Sequence, residues 1–286
     1  MQPKRQCAGS AATAALLALI LLILVGSTLY IFIKKVWWFP VSITTLGNEI
    51  DHQFALTLLI TGIVFVLSQV GLAWVIWQYR ERGRAVKFSR GNNTMEVIWT
   101  LATFVMFVGL GVMAKNAWAQ VHFRQAAADA LQVRVIAQQF AWNFQYSGKD
   151  GAFGRTIPDL VSASTGNPIG LDSNDKNATD DIVVPILVVP VNHEVQLILR
   201  SQDVIHSFYI RELRLKQDLV PGMEIPIHFT ANQIGEYELA CAELCGLGHY
   251  RMHSCMQVVS DADYQAWIAN GGQPMQAGNM KIGGCQ

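Results

Sequence analysis

The sequence predicts N-terminal transmembrane α-helices followed by an all-β domain, a small antiparallel Greek-key sandwich standing outside the bilayer. Three uncharged apolar runs precede residue 120, and short alternating strands take over from Leu131. A loop near the C-terminus gathers soft metal ligands that such a sandwich can complete from an earlier strand.

The membrane region, residues 1–120, is justified first. The apolar runs give helices near 11–33, 54–77 and 97–118, each close to the roughly 20 residues needed to cross a bilayer. Trp37, Trp38, Trp74, Trp77, Trp99 and Trp118 cluster at their ends, as interfacial belts do. Arg80, Arg82, Arg84, Lys87 and Arg90 fill the short connection between the second and third runs, and basic loops stay on the cytoplasmic side. Lys4 and Arg5 agree with that orientation, Lys34 and Lys35 oppose it, and the balance puts everything after residue 120 outside. The first run also resembles a signal peptide, but it exceeds the usual apolar core of about 7–15 residues and no clean cleavage signature follows it. A retained helix is expected. Cys7 lacks the apolar lead-in of a lipoprotein signal and reads as an incidental thiol.

Of the 286 residues 51% are hydrophobic and 15% charged, too apolar for an ordinary soluble domain. The formal net charge is zero, which gives no reason to expect nucleic-acid binding. Absence of Cys-x-x-Cys-His excludes a covalent c-type haem.

The outer domain is expected over 131–270. Strands read at 132–137, 182–191, 194–200, 223–230 and 236–240, with a terminal helix from Asp261 to Asn270 that carries acids in its first turn. The Gly-rich stretch 271–286 reads as a flexible tail, with Cys285 in it free or oxidised, and Cys255 as a buried inert thiol. Between Ser147 and Asp181 lies a long loop with Asp150, Asp159, Asp172, Asp175, Asp180 and Asp181 against only Lys149, Arg155 and Lys176. It is either a solvated loop or an acidic surface that steers a basic partner.

The chemistry concentrates in Cys241-Ala-Glu243-Leu-Cys245-Gly-Leu-Gly-His249-Tyr-Arg-Met252. Thiolate and thioether select copper over hard cations, and imidazole suits it too. A mononuclear blue site uses a single Cys, so the second thiol suggests two metals, and His206 in Asp203-Val-Ile-His-Ser-Phe supplies the second imidazole. Two alternatives stand beside this. The cysteines could form a disulfide in an oxidising compartment, which leaves His206, His249 and Met252 unexplained. They could hold zinc, which seldom recruits a thioether. His52, His122, His193, His228 and His253 match no ligand position and read as structural or surface residues.

The spaced Cys, Glu, Cys, His and Met, with the earlier Asp-Val-Ile-His-Ser-Phe, resemble subunit II of cytochrome c oxidase over nearly all of residues 50–270. The resemblance implies a cupredoxin domain and a binuclear centre called CuA. Cys241 and Cys245 would bridge two copper ions, His206 and His249 would each cap one, and Met252 would be a weak ligand. Glu243 would offer its backbone carbonyl to copper, its carboxylate facing a magnesium site at the contact with subunit I. The resemblance further implies cytochrome c, or another c-type cytochrome, as donor outside a bacterial inner membrane. Further oxidase subunits would be partners, haem would lie only in the partner subunit, and oxygen would be reduced to water there.

Met95-Glu96-Val-Ile-Trp99 matches the family's Glu-x-x-Trp, which puts Glu96 at the mouth of a proton channel; as a plain helix-start acid it would need no further role. Where the family has Gln-Trp-x-Trp, this chain has Gln139-Phe140-Ala-Trp142. Phe140 therefore stands where the resemblance puts the electron-entry residue, so Phe140 and Trp142 are the electron-entry candidates, Trp142 reading more simply as a core aromatic. Lys216-Gln-Asp218-Leu-Val-Pro221-Gly222 matches a family turn, with Met223 where an Arg is common. Rival functions are the copper-bearing subunit of a related terminal reductase, such as nitric oxide reductase, and the copper-free second subunit of a quinol oxidase, which the full ligand set speaks against.

Overall fold

The structure, a computed structural model, describes residues 11–80, 91–278 and 280–285. Lys4, Arg5, Cys7 and the basic stretch Arg82 to Arg90, used above for orientation, lie outside the described residues. The chain forms two compact units, one taking in His52–Ala114 and the residues up to Phe39, the other Pro40–Asp51 and everything from Lys115.

The helical unit holds α1 (Ala11–Ile33) and most of α2 (Thr45–Gln78) and α3 (Asn93–His122), while the start of α2 and the end of α3 fall in the other unit. All three are long and apolar enough to cross a membrane, with mean hydropathy of 2.8, 2.2 and 2.2. Most of their Leu, Ile, Val and Phe side chains are exposed, Val25 on α1 being a buried exception, and this is the surface expected of helices solvated by lipid. α2 begins nine residues before the apolar run at Phe54, because polar Glu49, Asp51 and His52 extend the helix past its apolar stretch. Thr44 Oγ1 accepts the Gly47 N–H at 2.8 Å and so caps its start. Asn92 caps α3 by accepting from Thr94 N and Met95 N at 3.0 and 3.2 Å, and Glu96 sits exposed in the first turn.

The second unit is a sandwich of two five-stranded sheets. One has the order β3-β2-β1-β5-β8, the other β4-β10-β9-β6-β7. The strands of the first are β1 (Leu131–Gln138), β2 (Ala141–Tyr146), β3 (Ile182–Val184), β5 (Glu194–Ser201) and β8 (Ile225–Thr230). Those of the second are β4 (Leu187–Pro190), β6 (His206–Ile210), β7 (Leu215–Leu219), β9 (Gly235–Cys241) and β10 (His253–Val259). Most pairs are antiparallel as expected, but β1 with β5 and β4 with β10 run parallel, joined by long connections that alternation within a strand does not reveal. Val133, Val135, Val195, Leu197 and Leu199 from one sheet face Phe208, Ile210, Leu239, Met256 and Val258 from the other in a continuous core. α4 (Asp261–Ala269) starts at Ser260, whose hydroxyl accepts the Asp263 N–H at 3.1 Å, and buries Trp267 edge-on against Tyr146.

The C-terminal stretch differs from the flexible tail expected at 271–286. β11 (Met275–Ala277) and β12 (Met280–Ile282) pair as a hairpin, Ile282 is fully buried, and Cys285 is bonded to Cys255. Neither cysteine is therefore a free thiol. Buried Gln257 on β10 donates to the Lys281 and Gly284 carbonyls, each at 3.0 Å, and accepts the Gly283 N–H. Strands this short carry almost no periodic signal, and the Cys255 and Gln257 side chains that anchor the hairpin lie well before it in sequence.

The acidic segment 147–181 is more structured than a solvated loop. Two single turns of 3-10 helix interrupt it, and its carboxylates fold back on the loop itself. Asp180 accepts the Lys149 N–H at 2.6 Å, Asp181 the Gly154 N–H at 2.8 Å, and Asp175 the Arg155 N–H at 2.8 Å. Asp172 pairs with Arg155, whose guanidinium holds that carboxyl below its ordinary pKa.

Candidate metal centre

Four segments converge at one end of the second sheet. β6 starts with His206, β9 ends with Cys241, and the register Phe208 opposite Cys241 brings the two beside each other. The Cys241 N–H then bonds the Met252 carbonyl at 3.0 Å, closing the loop between them so that Cys245, His249 and Met252 fold back over Cys241. A single 3-10 turn, His249–Arg251, sets the last two of these side chains.

The donor atoms of His206, Cys241 and Cys245 all lie within 4.8 Å of one another. The two Sγ atoms are 3.9 Å apart, far beyond a disulfide bond of about 2.05 Å, so the pair is held as thiols. Nδ1 of His206 stands 4.0 Å from Cys241 Sγ, and Nδ1 of His249 stands 3.7 Å from Cys245 Sγ. Met252 Sδ lies 3.7 Å from Cys245 Sγ, and the Glu243 carbonyl oxygen 3.2 Å from Cys241 Sγ. One imidazole nitrogen therefore lies within 4.0 Å of each sulfur.

His206 is fully buried, and its Nε2–H donates to Asp203 Oδ1 at 2.8 Å, which fixes the tautomer and leaves the Nδ1 lone pair facing the thiols. Burial works to raise the Asp203 pKa, but hydrogen bonds from Gln139 N, His206 and Val204 N outweigh it and hold the carboxyl below its ordinary range. Burial, followed by the neighbouring Cys241, pushes the Cys245 thiol up to about 11. The Cys245 thiol therefore resists ionisation in the absence of a cation, which is an electrostatic demand that a metal ion would answer. The set is consistent with copper, because two sulfurs less than two metal–sulfur bonds of about 2.3 Å apart could share an ion, and a thioether, a soft donor, lies beside them.

The other residues singled out in the sequence fall in different places. Phe140 is 38% exposed and lies against Gly246 and Gly248 of the ligand loop, whereas Trp142 is buried, edge-on to His206, with its Nε1–H 3.5 Å from the Met252 carbonyl. Glu96 on α3 belongs to the helical unit and is not part of this cluster. The Glu243 side chain and Met223 are exposed, and Gly222, at φ +82°, forms the expected turn. His228 pairs with Glu194 at 2.9 Å and His193 with Asp261 at 3.7 Å, in keeping with structural and surface roles. The sequence did not single out Asp203 and Gln139 as partners of the ligands. For Asp203 the signal was its place three residues before His206; Gln139 carried none beyond its aromatic neighbours.

A cupredoxin-type sandwich with a soft-metal cluster, following apolar helices, defines the class of the protein. Residues 131–262 match the family described as cytochrome C oxidase subunit II, periplasmic domain. The alternative cytochrome c oxidase subunit 2 of Bradyrhizobium diazoefficiens is 35% identical, over 89% of this chain and 91% of its own. Cytochrome c oxidase subunit 2 of Cereibacter sphaeroides is 27% identical over 82% of this chain and 80% of its own. Among solved structures, the periplasmic domain of subunit II of cytochrome oxidase of Bradyrhizobium japonicum is 26% identical, covering 51% of this chain and 96% of that one, with a TM-score of 0.38. The chain belongs to the cytochrome c oxidase subunit II family. It is a membrane protein with a periplasmic C-terminal domain, and a subunit of a haem-copper oxidase complex.

Proposed function

We propose that this chain is the copper-bearing subunit through which electrons reach a respiratory oxidase in a bacterial inner membrane. The paired thiols, 3.9 Å apart with one imidazole nitrogen within 4.0 Å of each, carry the reading. Cys241 and Cys245 would bridge two coppers, His206 and His249 would cap one each, and Met252 and the Glu243 carbonyl would complete the shells. When bound, the copper pair supplies a one-electron carrier between a cytochrome c outside and haem in subunit I, where oxygen is reduced to water.

The chain's own residues prepare this. Asp203 fixes the His206 tautomer, and the buried environment of Cys241, Cys245 and Met252 excludes water from the sulfurs. Phe140 offers an aromatic surface at the ligand loop for the donor, while Trp142 backs the site from the core. The exposed Glu243 carboxylate is free to meet magnesium at the subunit I contact, and Glu96 to take up protons at the other end of α3. Rapid mixing of the purified complex with reduced cytochrome c tests the reading. It predicts reduction of a near-infrared-absorbing copper centre before haem reduction; haem reduction with no copper phase would overturn it.

A further inference from the structure

Gln139 lies in the turn between β1 and β2, outside the ligand set, yet its polar groups reach both sides of it. Its backbone N–H donates to Asp203 Oδ2 at 2.7 Å, and the other oxygen of that carboxylate takes the His206 Nε2–H at 2.8 Å. Its side-chain Nε2–H donates to the Cys245 carbonyl. One residue is thus linked through Asp203 to the imidazole beside Cys241, and directly to the backbone of the thiol that faces His249 and Met252.

The ligand loop makes room for this contact with two glycines. A Cβ at Gly246 would stand 2.8 Å from Gln139 Nε2 and 3.2 Å from the Phe140 ring, and one at Gly248 would collide with the same ring. Gly246 also adopts φ +134°, a backbone conformation that L side chains rarely take. The loop is therefore glycine at the two places where Gln139 and Phe140 press against it.

We propose that Gln139 is a positioning residue of the copper centre, a brace that holds Cys245 and His206 at a fixed separation from outside the ligand shell. The inference rests on the copper reading above. Groups that orient ligands in this way typically change metal affinity by about 10–100-fold, whereas an exposed residue with only a packing role changes little.

The test uses the full-length chain in detergent. Gln139→Met keeps the side-chain length and removes the amide; Gln139→Glu keeps the shape and sets an oxygen against the Cys245 carbonyl. The readouts are copper loss to a chelator, the electron paramagnetic resonance hyperfine pattern, the reduction potential, and the thermal midpoint of the metal-free protein. Both variants are expected to lose copper about 10-fold faster, with altered hyperfine pattern and potential and an unchanged metal-free midpoint. Wild-type copper retention, hyperfine pattern and potential would overturn the inference. So would a lowered metal-free midpoint with an unaltered copper spectrum, since that is the behaviour of a structural residue. A wild-type chain that takes up no copper would overturn the proposed function and, with it, this inference; a copper-loaded wild type beside indifferent variants would overturn the inference alone.

Discussion

Replacing Cys285 with Ser should destabilise the outer domain without touching the cluster of His206, Cys241 and Cys245. The Cys255–Cys285 bond closes a loop of 30 residues, for which the chain-entropy relation gives about 3.6 kcal/mol at 25 °C. Native geometry should suffer little, because the hairpin keeps its hydrogen bonds to Gln257 and the burial of Ile282. The loss corresponds to a fall of roughly 10 °C in the midpoint of a domain this size. Denaturant unfolding of the full chain in detergent, followed by tryptophan fluorescence with and without a reductant, measures it. Wild type under reductant should match Cys285→Ser, and alkylation under native conditions should find no free thiol at position 285 in the wild type. Equal stability of the two proteins in non-reducing buffer would refute the assignment of a closed, stapled C-terminus.

The ligand, docking and proton roles lead to further outcomes. Met252→Leu conserves volume at a fully buried position, so it should cost under about 1.5 kcal/mol, keep copper and shift the reduction potential; His249→Ala should lose copper or uncouple the pair, as copper analysis and spectroscopy would show. Asp150→Asn with Asp159→Asn removes two charges, while the amide oxygen introduced at position 150 still accepts the Ala152 N–H. Bimolecular reduction by a basic cytochrome should therefore slow and its salt dependence flatten; an unchanged salt slope would place docking elsewhere. Glu96→Gln should slow oxygen turnover of the assembled complex without changing copper content; if Glu96 only favours the helix start, about 0.3–1 kcal/mol is lost and turnover is normal.

The parts legible in the sequence were those with dense local signals. The apolar runs marked α1 to α3 because lipid demands uninterrupted hydrophobicity, and the Cys241-to-Met252 loop marked the cluster because five potential donors lie within twelve residues. Terminal details were less legible: α2 starts at Thr45, where polar side chains hide helix from a hydropathy reading. The stapled hairpin was read as a tail, since its stability comes from Cys255, Gln257 and a buried Ile282 across long separations, not from its Gly-rich composition. Gln139 escaped for the same reason. Its partners Asp203 and Cys245 meet it only after β1, β5 and the ligand loop are assembled.

Copper stoichiometry combined with electron paramagnetic resonance of the oxidised full-length chain tests the central claim most directly. Two coppers per chain are predicted, with a hyperfine pattern from one unpaired electron shared by two copper nuclei, both lost together in Cys241→Ser or Cys245→Ser. One copper per chain with the pattern of a single nucleus, or zinc in place of copper, would contradict it.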